Sequence, residues 1–162
     1  MPLFSLESIF LNHIELFAGS GGLSLGLEKA GFRLVMANEL SPMAAETFAY
    51  NFFDEDLTLD VKPEERKTLW LSSQYEDISS RLRENPYQYP DLGEGHSDMP
   101  TSAIGLKDKL IVGNVIHLNE FLIKNPIHLS KLKSGFGEKE IDLVSGGPPC
   151  QSFSTAGLRK EN

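Results

Sequence analysis

The sequence predicts an α/β protein whose strands form a parallel sheet. Within the first fifty residues, two short apolar runs alternate with two stretches of helical spacing. A glycine-rich turn at residues 19–22 joins the first run to the first helical stretch. The alternation resumes after a long polar segment at residues 54–108. Strand, turn, helix and strand in this order are typical of the βαβ units of parallel sheets.

The amino-terminal half carries its own start and stop signals. Its predicted elements are a strand at 13–17, a helix at 23–29 and a strand at 33–37. Gly31 ends the first helix, because glycine accepts the left-handed conformation that follows many helices. Ser41 and Pro42 begin a second helix, with a capping side chain followed by proline in the first helical position.

Residues 54–108 interrupt this pattern and hold most of the negative charge. They include 13 of the 23 acidic residues but 6 of the 15 basic ones, so their net charge is −7 while the whole chain has −8. We predict an amphipathic helix at 63–82, ended by Asn85 and Pro86. Proline, glycine, serine and aspartate then predict a loop or disorder to about residue 107. We interpret the segment as an acidic insertion.

The carboxy-terminal part returns to the α/β alternation. Its predicted elements are a strand at 109–112, a helix at 118–124 and a strand at 141–144. Asn125 and Pro126 end that helix. The last strand runs into the stretch SGGPPCQSFSTAG, which contains the single cysteine, Cys150.

The glycine turn and the acid after the second strand predict a cofactor site. Glycines let a ligand approach the backbone, and Glu39 follows Gly22 by 17 positions, near the ~20 expected for an acid that binds ribose hydroxyls. Ser24 replaces the third glycine of the dinucleotide motif, and no Gly-Lys-Ser/Thr forms a triphosphate cradle. A nucleoside cofactor fits best, with S-adenosyl-L-methionine as candidate. The alternative is a turn that only connects strand to helix.

Cys150 is predicted to be a nucleophile. A lone cysteine is more often a small buried hydrophobe. This one, however, follows a predicted parallel strand at the carboxyl end, where open α/β sheets bind ligands. Residues 146–149 (GGPP) form a stiff loop before it, and a polar run at 151–154 follows it. Thiols are intrinsically strong nucleophiles even when mostly protonated.

Three stretches together resemble a known family. ELFAGSGGLSLGLEKAGF, ANE and GGPPCQSFSTAG are similar, in this order, to the first, second and fourth motifs of DNA (cytosine-5) methyltransferases. The resemblance implies a Rossmann-like S-adenosylmethionine-dependent methyltransferase sheet. It implies that residues 1–162 are an incomplete, amino-terminal half of the catalytic domain, with the acidic insertion at 54–108 within it. On this resemblance, we expect the target-recognition domain to be absent from residues 1–162.

The resemblance also implies a reaction and a set of site residues. In the family, the cysteine adds to C6 of a cytosine flipped out of duplex DNA, and C5 then takes a methyl group from S-adenosylmethionine. Cys150 would be the catalytic residue. The implied cofactor-binding residues are Phe17, Ala18, Gly19, Ser20, Gly21, Gly22, Glu39, Leu40, Asn114, Val115 and Pro148. The implied substrate loop contains Pro149, Gln151, Ser152 and Ser154. No metal is expected.

Three positions depart from the family pattern. Glu15 replaces the usual aspartate of the first motif, and Leu40 stands where many members have an aromatic residue against adenine. Asn114 replaces an aspartate that accepts a hydrogen bond from the adenine amino group. An asparagine carbonyl accepts that bond without the assistance of a charge. We therefore expect a weaker cofactor site.

The composition sets expectations for partners. A net charge of −8 with no basic stripe means that most of the grip on DNA phosphates must come from elsewhere. We expect a carboxy-terminal half, in the same chain or in a second subunit, and an acidic insertion that points away from the duplex. A single cysteine and no apolar run of ~18 residues predict a cytoplasmic protein without a membrane span. The alternatives are a non-catalytic S-adenosylmethionine-binding subunit and an RNA cytosine-5 methyltransferase fragment.

Overall fold

The computed structural model describes residues 10–59, 62 and 65–149, which form an α/β unit. The strands are β1 (Leu11–Leu16), β2 (Phe32–Glu39), β3 (Thr68–Trp70), β4 (Lys109–Val112) and β5 (Ile141–Gly146). The helices are α1 (Gly22–Lys29), α2 (Pro42–Phe53), α3 (Ile78–Arg81), α4 (Val115–Lys124) and α5 (Pro126–Lys133). Three short 3-10 turns cover Pro86–Gln88, Ala103–Leu106 and Gly135–Gly137.

The five strands form one parallel sheet in the order β3-β4-β2-β1-β5. Leu16, at the end of β1, is paired with Asn38 of β2 on one side and with Gly146 of β5 on the other. The chain leaves β1 toward β2 and later returns to place β5 on the opposite side. Open α/β sheets bind ligands at such a reversal of strand order, at the carboxyl ends of the strands.

The local signals of the amino-terminal half are confirmed. Gly31 follows α1 with φ +90°. The Ser41 hydroxyl accepts a hydrogen bond from the Ala44 N–H at 3.4 Å, and Pro42 is the first residue of α2. In α1 the buried residue is Ser24, whereas Leu23 is 46% exposed. The hydroxyl of Ser24, rather than an apolar face, therefore anchors α1 to the sheet.

The predicted helix at 63–82 is wrong. Among the described residues of this range, Thr68–Trp70 forms β3, the edge strand paired with β4, and the α-helical part is Ile78–Arg81. The cause is burial on both faces of the sheet: Trp70 packs into the core cluster on the α2 side, while Leu69 and Leu71 pack into the opposite one. A short apolar run buried on both faces has no periodicity that separates strand from helix.

Residues 82–108 of the acidic segment form a loop with two short 3-10 turns, and the sheet anchors this loop. The Trp70 N–H donates to the Asp98 carboxylate at 2.9 Å, and the Trp70 carbonyl accepts from the Asp98 N–H at 2.9 Å. The same carboxylate pairs with the guanidinium of Arg81 at 2.6 Å, and the Arg81 side chain is 3% exposed. Asp98 thus fixes the loop to the outer side of β3.

The carboxy-terminal elements match the prediction with one addition. β4 and β5 cover the predicted strands, and α4 begins at Val115, three residues before the predicted start. Asn125 and Pro126 do end α4, but Pro126 is also the first residue of α5. Proline at a first helical position needs no N–H partner, so the same pair stops one helix and starts the next. Within residues 10–59, 62 and 65–149, no helix is long and apolar enough to cross a bilayer.

Candidate cofactor site at the carboxyl edge of the sheet

The turn after β1 has the backbone conformation of a ligand-binding loop. Gly19 and Gly21 have φ of +56° and +89°, which suits glycine. Phe17 also has a positive φ, +56°, which is uncommon for a residue with a side chain and is found at binding sites. The Ala18 N–H donates to the Asn38 carbonyl at 3.0 Å, so the turn is attached to the end of β2.

Glu39 connects three parts of this edge. One carboxylate oxygen accepts from the Gly19 N–H at 2.7 Å, and the other accepts from the Ser41 N–H at 2.8 Å. Its carbonyl accepts from the Gly113 N–H at 2.9 Å. A carboxylate has about four acceptor positions, so two remain for a pair of ligand hydroxyls. The acid is therefore held in place by the backbone while it keeps the capacity for a ribose.

Asn38 is a site residue that the sequence analysis missed. Its side chain is 2% exposed, and its Nδ2 donates to the carbonyls of Ile111 at 2.9 Å and Gly113 at 3.0 Å. These bonds fasten the end of β4 to the end of β2. The available signal was a polar residue at the end of an otherwise apolar strand, directly before Glu39.

Asn114 has a structural partner in addition to its predicted role. Its Oδ1 accepts from the Ile116 N–H at 2.9 Å, which makes Asn114 the N-cap of α4. Asparagine is among the best N-cap residues. A carbonyl oxygen can accept a second bond, so the cap does not prevent a contact with a cofactor. Val115 begins the helix directly after it.

One further acid, Glu15, lies beneath α1 rather than at the carboxyl edge of the sheet. Glu15 is 2% exposed, and one of its carboxylate oxygens accepts a hydrogen bond from the Ser24 hydroxyl. Burial raises the pKa of the Glu15 carboxyl, and the bonds from Ser24 oppose the rise. Ser24, which stands in place of the third glycine, thus binds Glu15, which stands in place of the usual aspartate of the first motif.

His13, two residues before Glu15 on β1, is fully buried, and its ring nitrogens lack hydrogen-bond partners in the described part of the chain. Burial lowers its pKa below 6.5, so the folded protein holds a neutral imidazole. The unfolded chain then binds more protons, and stability falls as the pH drops below 6.5. The raised pKa of Glu15 has the opposite effect, because acid favours its buried, protonated form.

We expect His13→Leu to remove the histidine part of this acid sensitivity. Urea unfolding followed by circular dichroism gives the unfolding free energy of His13→Leu minus that of the unsubstituted chain. This difference should become more positive from pH 7.5 to pH 5.5, because only the unsubstituted chain loses stability through His13. Ile123→Leu, at an exposed position on α4 without a titratable group, is the control and should differ from the unsubstituted chain by an amount that stays constant with pH. A difference for His13→Leu that stays constant with pH would contradict the buried neutral imidazole.

The remaining predicted residues are distributed around the same edge. Leu40 follows Glu39 and its carbonyl accepts from the Tyr89 hydroxyl at 3.2 Å. Ser20 and Gly22 are exposed beside the turn, and Pro148 and Pro149 are exposed after β5. Cys150, Gln151, Ser152 and Ser154 lie outside the described residues.

A parallel sheet with a glycine turn after its first strand and an acid at the end of its second places this structure in the Rossmann-like class of nucleoside-cofactor folds. Residues 11–76 and 119–162 match the family of C-5 cytosine-specific DNA methylases. The chain belongs to that family.

Curated relatives are similar over nearly the whole chain. The type II methyltransferase M.Bpa9945I of Bacillus paralicheniformis is 29% identical over an alignment of 161 positions, which covers 89% of this chain and 32% of the relative. M1.HphI of Haemophilus parahaemolyticus is 25% identical over 147 residues, 91% of this chain and 23% of the relative. The chain thus spans about a third or less of these relatives. No solved structure matches it.

Proposed function

We propose that this chain is the cofactor-binding and nucleophile-bearing half of a DNA cytosine-5 methyltransferase. The observation that carries the proposal is the Glu39 carboxylate, held by Gly19 and Ser41 at the carboxyl edge of the sheet, where β2 lies beside β1. Membership of the C-5 cytosine-specific DNA methylase family and the type II methyltransferase relatives support the reaction. The substrate is a cytosine in duplex DNA.

The residues at the carboxyl edge fit S-adenosyl-L-methionine. Two acceptor positions of Glu39 remain for the ribose hydroxyls, and the second lone pair of the Asn114 carbonyl suits the adenine amino group. The positive φ of Gly19 and Gly21 brings the backbone close to the ligand. Leu40 supplies apolar contact with the adenine. When bound, the cofactor supplies an electrophilic methyl group.

Cys150 acts on the cytosine ring. Its thiolate forms a bond to C6, and the electron pair of the C5=C6 bond moves to C5, which then takes the methyl group. Loss of the C5 proton to a base returns an electron pair to the ring, re-forms C5=C6 and expels the thiolate. The target base must leave the helix stack to reach the thiol. Pro148 and Pro149, after β5, direct the loop that carries it.

A carboxy-terminal half completes the sheet beside β5. Among the described residues β5 pairs with β1 alone. Val144 on β5 and Ile116 on α4 are 58% and 62% exposed, and both line an apolar groove of about 460 Å³ over Ile14 and Leu16. An unpaired strand edge beside an open apolar groove suits a further strand and helix. That half would supply the groups that orient cytosine and the domain that reads DNA sequence.

The acidic segment at 54–108 contributes one end of the sheet. It supplies β3, at the opposite end of the sheet from β5. Part of it, within 77–118, also lies outside the family match. We propose that it is an insertion that faces away from the duplex, because its charge of −7 would repel DNA phosphates.

The covalent step is tested by trapping. The chain is combined with the matching carboxy-terminal half, S-adenosylmethionine and duplex DNA that contains 5-fluorocytosine, whose C5 fluorine cannot leave as a proton does. We expect a denaturation-resistant protein–DNA adduct with the unsubstituted chain and none with Cys150→Ser. Gly147→Ala, at a position with open space around it, is the control that should still form the adduct.

The outcomes separate the alternatives. An adduct with Cys150→Ser would show that another residue attacks the base. Cofactor binding by calorimetry without any adduct would indicate a non-catalytic cofactor-binding subunit. An adduct on RNA that contains 5-fluorocytosine, with none on DNA, would indicate an RNA enzyme.

A further inference from the structure

The loop of the acidic segment reaches the proposed cofactor site through one side chain. Tyr89 follows the 3-10 turn at Pro86–Gln88, and its hydroxyl donates to the Leu40 carbonyl at 3.2 Å. The ring packs against the core cluster on the α2 side, which includes Trp70. A residue 49 positions away in sequence thus binds the backbone carbonyl of Leu40, the residue directly after Glu39.

The environment keeps the Tyr89 hydroxyl a donor. Burial raises its pKa above 10, and the carboxylates of Glu84 and then Glu39 add to the rise. The Trp70 indole N–H lies close and opposes it, without a hydrogen bond of acceptable geometry. The Tyr89 hydroxyl therefore stays protonated at neutral pH and can donate to the Leu40 carbonyl.

The peptide that Tyr89 holds lies between two anchored residues. The Glu39 carboxylate spans it by accepting from the Ser41 N–H, and the same carboxylate accepts from the Gly19 N–H of the glycine turn. Rotation of the Leu40 carbonyl would change the direction of the Ser41 N–H and so the position of the acid. Tyr89 lies in the part of the chain outside the family match.

We infer that Tyr89 is a positioning residue for the cofactor site, which fixes the turn at residues 39–41 so that the Glu39 carboxylate faces the ribose. The inference rests on the proposed function. It also gives the acidic segment a role in the site. The segment lies outside the three family motifs and, through Tyr89, helps to hold the Glu39 carboxylate in place.

Tyr89→Phe tests the inference, because it removes the hydroxyl and keeps the ring. In calorimetric titration we expect a three- to tenfold loss of affinity for S-adenosylmethionine and for its demethylated product, which corresponds to about one hydrogen bond. Tyr87→Phe removes a hydroxyl that is on a side chain 87% exposed and should leave the affinity unchanged. The effect of Tyr89→Phe should be much smaller in a Glu39→Gln background, since the two act through one turn.

A second measurement needs no cofactor. Hydrogen exchange should speed up more at the Gly19 and Ser41 amides of Tyr89→Phe than at the Ile111 amide in β4, which reports any loss of global stability. Unchanged exchange at Gly19 and Ser41, or additive effects with Glu39→Gln, would overturn the inference and leave the proposed function standing. Failure of the unsubstituted chain to bind the cofactor would overturn the proposed function, and this inference with it.

Discussion

Asp98→Ala is expected to lower the free energy of unfolding by about 3–5 kcal/mol. The Asp98 carboxylate accepts from the Trp70 N–H and from the Arg81 guanidinium, and the two side chains of the pair are 12% and 3% exposed. Alanine would leave a buried cation with only the Tyr75 carbonyl as a hydrogen-bond partner. Removing one partner of a buried pair costs more than the pair contributes, because the other charge stays desolvated. Chemical unfolding followed by tryptophan fluorescence measures the change.

Asp91→Ala is the matched control. The Asp91 side chain is 84% exposed, and one of its carboxylate oxygens lies 3.7 Å from Nε2 of His117. We expect a change within about 0.5 kcal/mol, as for most surface substitutions. The loss of unfolding free energy for Asp98→Asn should lie between those for Asp98→Ala and Asp91→Ala, since asparagine keeps a hydrogen-bond acceptor and loses the charge. Equal effects of Asp98→Ala and Asp91→Ala would show that the Asp98 pair does not anchor the acidic segment.

Gly146→Ala is expected to disturb both the fold and the site. A Cβ at Gly146 would lie 2.3 Å from the Leu16 carbonyl oxygen, and this oxygen belongs to the backbone of the neighbouring strand. β1 and β5 would have to separate where the glycine turn begins. Overpacking of this kind costs about 1–3 kcal/mol. We expect a loss of stability in that range, together with weaker binding of S-adenosylmethionine, in urea unfolding and calorimetry.

Gly147→Ala is the control that separates a steric clash from the loss of glycine flexibility in this loop. A Cβ at Gly147 would meet no atom within 4 Å, so Gly147→Ala should retain stability and cofactor affinity. If both substitutions had the same effect, the cause would be the flexibility of the loop before Cys150 rather than the close approach of β5 to Leu16.

The sequence predicted those elements that local signals define. The cap at Ser41, the proline at Pro42 and the glycine at Gly31 act within a few residues, and the structure has all three. The strand at 109–112 was also predictable, because an apolar run stands between turn-forming residues. These features depend on short-range geometry, and the surrounding fold does not overrule them.

Features that depend on distant partners were missed. The strand Thr68–Trp70 exists because β4 pairs with it and because both faces of the sheet bury it. Asn38 and Tyr89 matter for the carbonyls that they reach, 73 and 49 positions away. The burial of Ser24 in α1 likewise depends on a distant partner, since its hydroxyl donates to Glu15 on β1. A pattern within one segment carries no information on such contacts.

The two ends of the sheet differ in a way that bears on handling the protein in solution. The β3 end holds the segment with a net charge of −7, so like-charged molecules repel one another there. Within the part of the chain that the structure describes, the β5 end has an unpaired edge and exposed Val144, while the rest of the sequence has a net charge of only −1. The repulsion between molecules is thus strongest at the β3 end, where the loop of the acidic segment already covers the sheet edge. Self-association at high concentration would begin at β5, where charge offers little protection.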